Sequence, residues 1–322
     1  MKVATAQFEH RSGDIEYNLG KVRALTIEAG RSGCEVIAFP ECCLTGYWYL
    51  RKLNRARLVD LAETLIEQAV FPAIAKLASE NHISIGVGYV EYNRLLGKLF
   101  NSYSVIGPNG ELAKHRKLHC FISPNLESGE NYTVFELPNG RLCGILICYD
   151  NNIVENVRAT ALAGAEILIA PHQTGGCNSG SPQAMGLVDI EVWNNRLHAP
   201  EAIEAELKGD KGRGWLMRWL PARAHDNGLF VIFSNGIGWE DNEIRTGNSM
   251  VIDPYGRIIQ ETSHAGDALV TAELDFSIQT SSTGRRWLRA RRPELYNSLI
   301  KKNANPETTR DVRFEHLNQE EI

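Results

Sequence analysis

The chain alternates short apolar runs with longer stretches in which apolar positions recur at helical spacing. Val3–Phe8 reads as a strand, and Tyr17–Ala29 as a helix with Leu19, Val22, Leu25 and Ile27 among its apolar positions. Val36–Phe39 reads as a buried strand stopped by Pro40, and Leu58–Ser79 as a long amphipathic helix interrupted at Pro72. Ile83–Tyr89 and Leu99–Ile106 are strand-like, and after the turn Pro108-Asn109-Gly110 the run Leu112–His115 leads to Lys117. Thr133–Leu137 and Leu142–Ile147 are joined by the tight turn Pro138-Asn139-Gly140. Val154–Ala163 has helical spacing, and Glu166–Ala170 is another short buried strand. Phe230–Ser234, Met250–Ile252, Ile258–Glu261 and Ala268–Leu274 form a second set of strands, with Asp253-Pro254-Tyr255-Gly256 turning between two of them.

Two stretches break this rhythm. Residues 175–227 separate two strands by a span too long to be structureless in a compact domain, and Trp193, Trp215 and Trp219 predict helices there that pack on the body. The second stretch is the tail after about Phe276, which turns polar from Lys301 onward. The expected organisation is one domain over residues 1–275, with a C-terminal tail over 276–322 that docks on a partner subunit. Mixed βα units and hairpins without an internal linker predict an α/β domain with two sheets inside and helices outside.

Composition narrows the class. The chain has 322 residues, 43% of them hydrophobic, so it can bury a large core without disulfides or a structural metal. A net charge of −5 argues against general affinity for nucleic acid or anionic membranes. The seven cysteines are odd in number and include no C-x-x-C pair, which reads as reduced thiols in the cytoplasm. The N-terminus begins a strand at once with no signal-peptide pattern, and no apolar run approaches the roughly 18 residues that span a bilayer. Arg285, Arg286, Arg289, Arg291 and Arg292 form a basic cluster around Trp287 and Leu288. Against the acidic balance of the chain it reads as a docking segment that pairs with acidic residues of this subunit or its partner.

Three strand ends carry reactive groups. Cys148 follows Ile145-Leu146-Ile147 and precedes a polar turn, where a sulfur is exposed at the sheet edge and the next backbone N–H groups can face an oxyanion. Taken alone, such a cysteine is ordinarily a small core hydrophobe. Glu41 follows an apolar strand and Pro40, where a carboxylate is costly unless it faces a cleft. There it can take a thiol proton and return it to a leaving amine. Lys117, in His115-Arg116-Lys117-Leu118-His119, can stabilise a tetrahedral anion, although basic residues on edge strands also guard against aggregation. Together the three supply nucleophile, base and electrostatic stabiliser.

These segments resemble the carbon–nitrogen hydrolase (nitrilase) superfamily over Lys2 to about Tyr296. Phe39-Pro40-Glu41 with Leu44-Thr45-Gly46-Tyr47 is similar to its glutamate motif, His115–His119 to its lysine motif and Gly144–Asp150 to its cysteine motif. Arg223–Asn227, Gly247-Asn248-Ser249 and Asp253–Gly256 match later landmarks. The resemblance implies a four-layer α-β-β-α sandwich, a Glu41-Lys117-Cys148 triad, no metal or organic cofactor, and a homodimer or higher homo-oligomer with sheets extended across the dimer. Many members carry a second glutamate after the lysine motif; Glu127 and Glu130 do not fall in its register, and neither is assigned that role. Nitrile-cleaving members usually have Trp-Glu after the cysteine, whereas Tyr149-Asp150 here is closer to amide-cleaving relatives.

The expected activity is hydrolysis of a small linear amide through a cysteine thioester, with an N-carbamoyl compound or a nitrile as alternative substrates. An inactive binding or scaffold protein of the same fold is the reading from another class. Tyr47, Tyr149, His172 and Gln173 are expected at the substrate, His172 and Gln173 because Pro171–Gly176 follows the next strand and faces the same cleft. A zinc site built from His172, Cys177 and His198 lacks any metal-binding spacing.

Overall fold

A computed structural model describes residues 1–302 and 304–317. Two sheets form its centre. The first runs in the order Ala268–Glu273 (β15), Lys2–Gln7 (β1), Val36–Ala38 (β2), Ser84–Asn93 (β3), Lys98–Gly107 (β4), Gly110–Arg116 (β5), with Leu126–Glu127 (β6) also on β4. The second runs Ile258–Glu261 (β14), Met250–Ile252 (β13), Phe230–Asn235 (β10), Ile167–His172 (β9), Leu142–Ile145 (β8), Thr133–Glu136 (β7). Ile237–Glu240 (β11) and Glu243–Thr246 (β12) make a separate hairpin. The middle strands of each sheet are parallel, β1-β2-β3 in one and β8-β9-β10 in the other, and antiparallel strands flank them.

Because side chains alternate along a strand, each sheet feeds two cores. Val3, Val36, Ala38, Tyr103 and Val105 of the first sheet meet Ile145, Ile167, Ile169, Phe230 and Ile232 of the second. Alternate residues Ala4, Ala6, Ile37, Ile85 and Val87 face outward onto Ile15–Arg31 (α1) and Val70–Asn81 (α3). On the far side Leu168, Ala170, Val231 and Phe233 meet Val154–Leu162 (α5) and Leu220–Asn227 (α9). The result is the four-layer α-β-β-α sandwich expected. Where β1 and β10 face each other, small hydroxyl residues stitch the sheets: Thr5 Oγ1 donates to the Phe233 carbonyl at 2.8 Å and Ser234 Oγ to that of Ala6 at 2.7 Å.

Several boundaries differ from the sequence reading. The single helix expected over Leu58–Ser79 is two, Arg55–Glu67 (α2) and α3, broken at Ala69 in the left-handed region at φ 49°. Pro72 sits in the first turn of α3, where its missing N–H costs no intrahelical bond, so it is not the breaker. Residues 175–227 do hold helices: Ile190–Asn194 (α6), Pro200–Lys208 (α7), Arg213–Leu216 (α8) and α9. The β11–β12 hairpin escaped the pattern because its buried positions include Glu240, Glu243 and Arg245. In the tail, Thr283–Arg289 (α10) packs on α9, and Arg285 donates to the carbonyls of Gly228 and Ala165 at 3.0 and 2.6 Å. The main partners of Arg285 are thus carbonyls rather than the acidic residues expected for the cluster, while Arg292 does pair with Glu294. Thr309–Phe314 (α11) returns to the body, with Phe314 buried against Trp48 and Phe121 of the same chain.

One glycine bears directly on the site. A Cβ on Gly88 of β3 would lie 2.3 Å from the Cys42 nitrogen, so only glycine lets the Pro40–Cys42 turn lie this close to the strand. Gly88→Ala should destabilise the protein by about 1–3 kcal/mol, the usual cost of overpacking, read from urea unfolding. It should also lower activity by displacing Glu41.

Candidate active site

The site lies at the carboxyl ends of strands, where α/β sheets ordinarily bind ligands. Glu41 follows β2, Lys117 is the first residue after β5, and Cys148 follows β8. Glu41 and Lys117 therefore come from the first sheet and Cys148 from the second. Glu41 is fully buried and Lys117 1% exposed, and Lys117 Nζ lies 2.6 Å from Glu41 Oε1. Asn101 Nδ2 on β4 donates to the same oxygen at 2.7 Å, while Glu41 Oε2 has no hydrogen-bond partner among the described residues. Lys117 also lies over the rings of Phe121 and Tyr47 at 4.8 and 5.6 Å. Burial alone would lower its pKa, but Glu41, followed by Tyr47 and Cys148, more than offsets this, leaving it well above the ordinary lysine value.

Cys148 has φ 49° and ψ −106°, a conformation rare for a non-glycine residue. It turns the chain from β8 into the short helix Tyr149–Asn152 (α4), with its N–H bonded to the Pro171 carbonyl at 2.9 Å. Among the described residues the Tyr149 N–H at the start of α4 has no acceptor. Burial, and next the negative charge of Glu41, push the Cys148 thiol up to about 12, with Lys117 opposing. At neutral pH the sulfur keeps its proton and needs a base to lose it.

Asp150 joins the two halves. Its fully buried carboxylate accepts from the N–H groups of Leu118 (3.1 Å), His119 (2.8 Å) and Ile147 (3.2 Å). It thereby ties the residues after Lys117 to the turn that carries Cys148. Burial would raise its pKa, but the neighbouring His115 at 3.7 Å, then Lys117 and His119, hold it below the ordinary carboxylate value. Glu240 does similar work at the mouth, accepting from the N–H groups of Trp48 at 2.7 Å and Tyr47 at 3.0 Å and from Ser12 Oγ at 2.6 Å. In the sequence Asp150 figures only as part of the cysteine motif and Glu240 not at all, because a lone acid carries no periodic signal.

A cavity of about 490 Å³ opens onto Cys148, within the usual size of a small-molecule site. Tyr47, Tyr149 and Gln173, three of the four residues expected at the substrate, line it. Gln173 Nε2 donates to the Glu41 carbonyl at 3.0 Å and leaves Oε1 without a partner; the Tyr47 hydroxyl is also unpartnered. His172 is a correction. It does not line the cavity but sits 1% exposed against Phe233 and Trp219, with Nε2 3.2 Å from Asn151 Nδ2. Burial, with Lys117 adding, keeps it neutral, which suits support of the α4 turn. Glu127 and Glu130 are exposed and lie outside this cavity, whose one carboxylate among the described residues is Glu243. No group of three His, Cys, Asp or Glu among the described residues could hold a metal ion.

The model of the carbon-nitrogen hydrolase family matches residues 2–281. The chain belongs to that family. Among the curated relatives of this carbon–nitrogen hydrolase, an (R)-stereoselective amidase of a Pseudomonas species is 27% identical over 81% of this chain and 80% of its own length. A citrullinase of Francisella tularensis is also 27% identical, covering 94% of this chain and 99% of its own. In solved structures an amidase from Nesterenkonia sp. AN1 shares the fold, with a TM-score of 0.69 at 20% identity over 93% of this chain and 100% of its own. A structure of the E41Q mutant of that amidase carries the acetamide moiety of fluoroacetamide added covalently at its active-site cysteine.

Asp150→Asn in this carbon–nitrogen hydrolase should set an amide NH₂ against backbone N–H donors and cost about 1–3 kcal/mol in denaturant unfolding. The pH dependence follows from the same group. Asp150 and Glu240 both titrate below their unfolded values of about 3.9 and 4.3. Their stabilisation is therefore complete above those values and is lost as pH falls toward the folded ones. Unfolding free energy should drop steeply below about pH 4, and Asp150→Asn should flatten that acid limb.

Proposed function

We propose that this carbon–nitrogen hydrolase cleaves a small linear amide through a thioester on Cys148, with Glu41, Lys117 and Cys148 as its catalytic residues. One observation carries the reading: Lys117 and Asn101 both hold Glu41 Oε1, which leaves Oε2 unpartnered beside a thiol that burial keeps protonated. Oε2 takes the Sγ proton as sulfur bonds to the amide carbonyl carbon. Lys117 Nζ and the Tyr149 N–H receive the oxyanion. Collapse of the tetrahedral intermediate breaks the carbon–nitrogen bond, and Glu41 gives its proton to the departing ammonia or amine. Glu41 then deprotonates a water that attacks the thioester, and the acid leaves as Cys148 recovers its proton. Covalent catalysis thus divides one hard displacement into two.

The near-full-length likeness to a citrullinase favours a second reading, in which the scissile amide is a carbamoyl group. The same residues would act, and carbon dioxide would appear with ammonia. A nitrile substrate has behind it the likeness to a nitrilase of Pyrococcus abyssi, 24% identical over 85% of this chain. All seven cysteines are buried and unpaired, which supports a reducing, cytoplasmic setting. A homo-oligomer with the tail at a subunit contact is the assembly we propose.

Ammonia release from aliphatic amides, N-carbamoyl amines and nitriles tests the chemistry. Cys148→Ala should abolish release while leaving the unfolding midpoint near that of the wild type. Glu41→Gln should lower kcat by about 10²–10⁴, the usual contribution of a general base. Full activity in Cys148→Ala would overturn the mechanism.

A further inference from the structure

The outer part of the Cys148 cavity holds charge that the hydrolytic chemistry does not use. Arg245, Glu243, Arg223 and Arg313 all line it. Arg245 and Glu243, both 2–3% exposed, pair with each other at 2.6 Å and cancel. Among the described residues Arg223 and Arg313 have no carboxylate partner. Arg223 is committed to the chain, donating to the carbonyls of Asn151 and Asn152 at 2.7 and 2.8 Å. Arg313 is not: Nη2 donates to the Asn178 carbonyl at 3.0 Å, while Nη1 is buried with no partner among the described residues. Two more donors on residues of the same wall, Arg245 Nε and Trp219 Nε1, are also buried and unpartnered. Buried donors left unpaired are uncommon and costly. Here they cluster around one cavity and call for an acceptor.

The placement relative to the reacting centre is also defined. Lys117 Nζ and the Arg313 guanidinium carbon lie 4.8 and 5.7 Å from the centroid of the Phe121 ring, so these two distances together bound their separation. Tyr47 stands in the same way between Lys117 at 5.6 Å and Arg245 at 5.8 Å. A short-chain substrate whose amide reaches Cys148 can therefore place its far end at the arginines. Arg313 is held there by α11: Phe314 is buried against Trp48 and Phe121, and Arg310 Nη1 donates to the Phe121 carbonyl at 2.6 Å.

We propose that Arg313, presented by the tail helix α11 and backed by Arg245, recognises a carboxylate at the far end of the substrate, so that the preferred substrate is an acidic linear amide. The proposal rests on the amide-hydrolase reading of this site. A carboxylate fits a guanidinium fork and adds one negative charge to a wall with an excess of positive charge. A terminal ammonium would face Arg313 and Arg223, with Glu243 already paired.

Calorimetric titration of the Cys148→Ala protein tests this without turnover, using succinamate (acidic), butyramide (neutral) and 4-aminobutyramide (cationic). Succinamate should bind at least tenfold more tightly than either of the others, and adding Arg313→Gln should remove most of that preference. Glutamine can still donate to the Asn178 carbonyl, so the tail keeps an anchor, and Arg313→Lys should restore part of the preference by retaining charge. In the enzyme with Cys148 intact, Arg313→Gln should lower the succinamate-to-butyramide ratio of kcat/KM by a similar factor, mostly through KM. Equal binding of all three amides, or a uniform loss across them in Arg313→Gln, would overturn the carboxylate site. Charge-blind hydrolysis would leave the amide-hydrolase reading standing and remove this one. Selective succinamate binding without hydrolysis of any amide would do the reverse.

Discussion

Glu41 and Lys117 belong to one sheet and Cys148 to the other, so the proposed chemistry depends on holding two sheets in fixed register at their carboxyl ends. Hydrophobic packing between the sheets is non-directional and cannot set such a register to a fraction of an ångström. Directional bonds supply it. Asp150, on the second sheet's side, accepts from the backbone of Leu118 and His119 on the first, and Thr5 and Ser234 exchange bonds with the opposite strands deeper in the sandwich. A buried carboxylate is tolerated because three N–H groups and the neighbouring His115 stabilise its charge. The same charge ties Lys117 to the Cys148 turn.

Within that frame the electrostatics follow from dryness. A buried ion pair such as Lys117–Glu41 stabilises a fold little, because desolvation offsets most of the attraction. It does fix where the carboxylate points and leaves one of its oxygens unpaired. Cys148 sits close enough to Glu41 that a thiolate would be repelled, which favours transfer of a proton over storage of an anion. His172, behind the cavity, stays neutral because burial, with Lys117 adding, disfavours its charged form, and so it adds no competing charge.

Residues outside the reacting group have a different logic. Aromatic rings of Tyr47, Phe121, Tyr149 and Trp219 shape the walls, while Glu240 caps the turn that carries Tyr47 and Trp48. The tail closes the arrangement from a distance in sequence: Arg310 and Phe314 dock on Phe121 and Trp48, and Arg313 enters the cavity beside them. Residues far apart in the chain thus share one small volume.

The order of apolar runs determined most of the strands, because a buried strand needs several consecutive apolar residues whatever its neighbours are. Glu41, Lys117 and Cys148 were legible because each ends such a run, where a polar group stands out against its surroundings. The break between α2 and α3 at Ala69, the β11–β12 hairpin with its buried Glu240, Glu243 and Arg245, and the six-residue α11 left no such signal. Short elements span too few residues to establish a period, and a buried charge looks like a surface one until its partner is known. His172 looked like a substrate contact for the complementary reason: position after a strand does not tell which side of the sheet a ring will face. The sequence alone therefore determined the layers and singled out Glu41, Lys117 and Cys148 as candidates, through local hydrophobicity. Only the tertiary structure decided which acids hold the halves together and which arginines line the cavity, because those roles are long-range hydrogen bonds and burial created by folding.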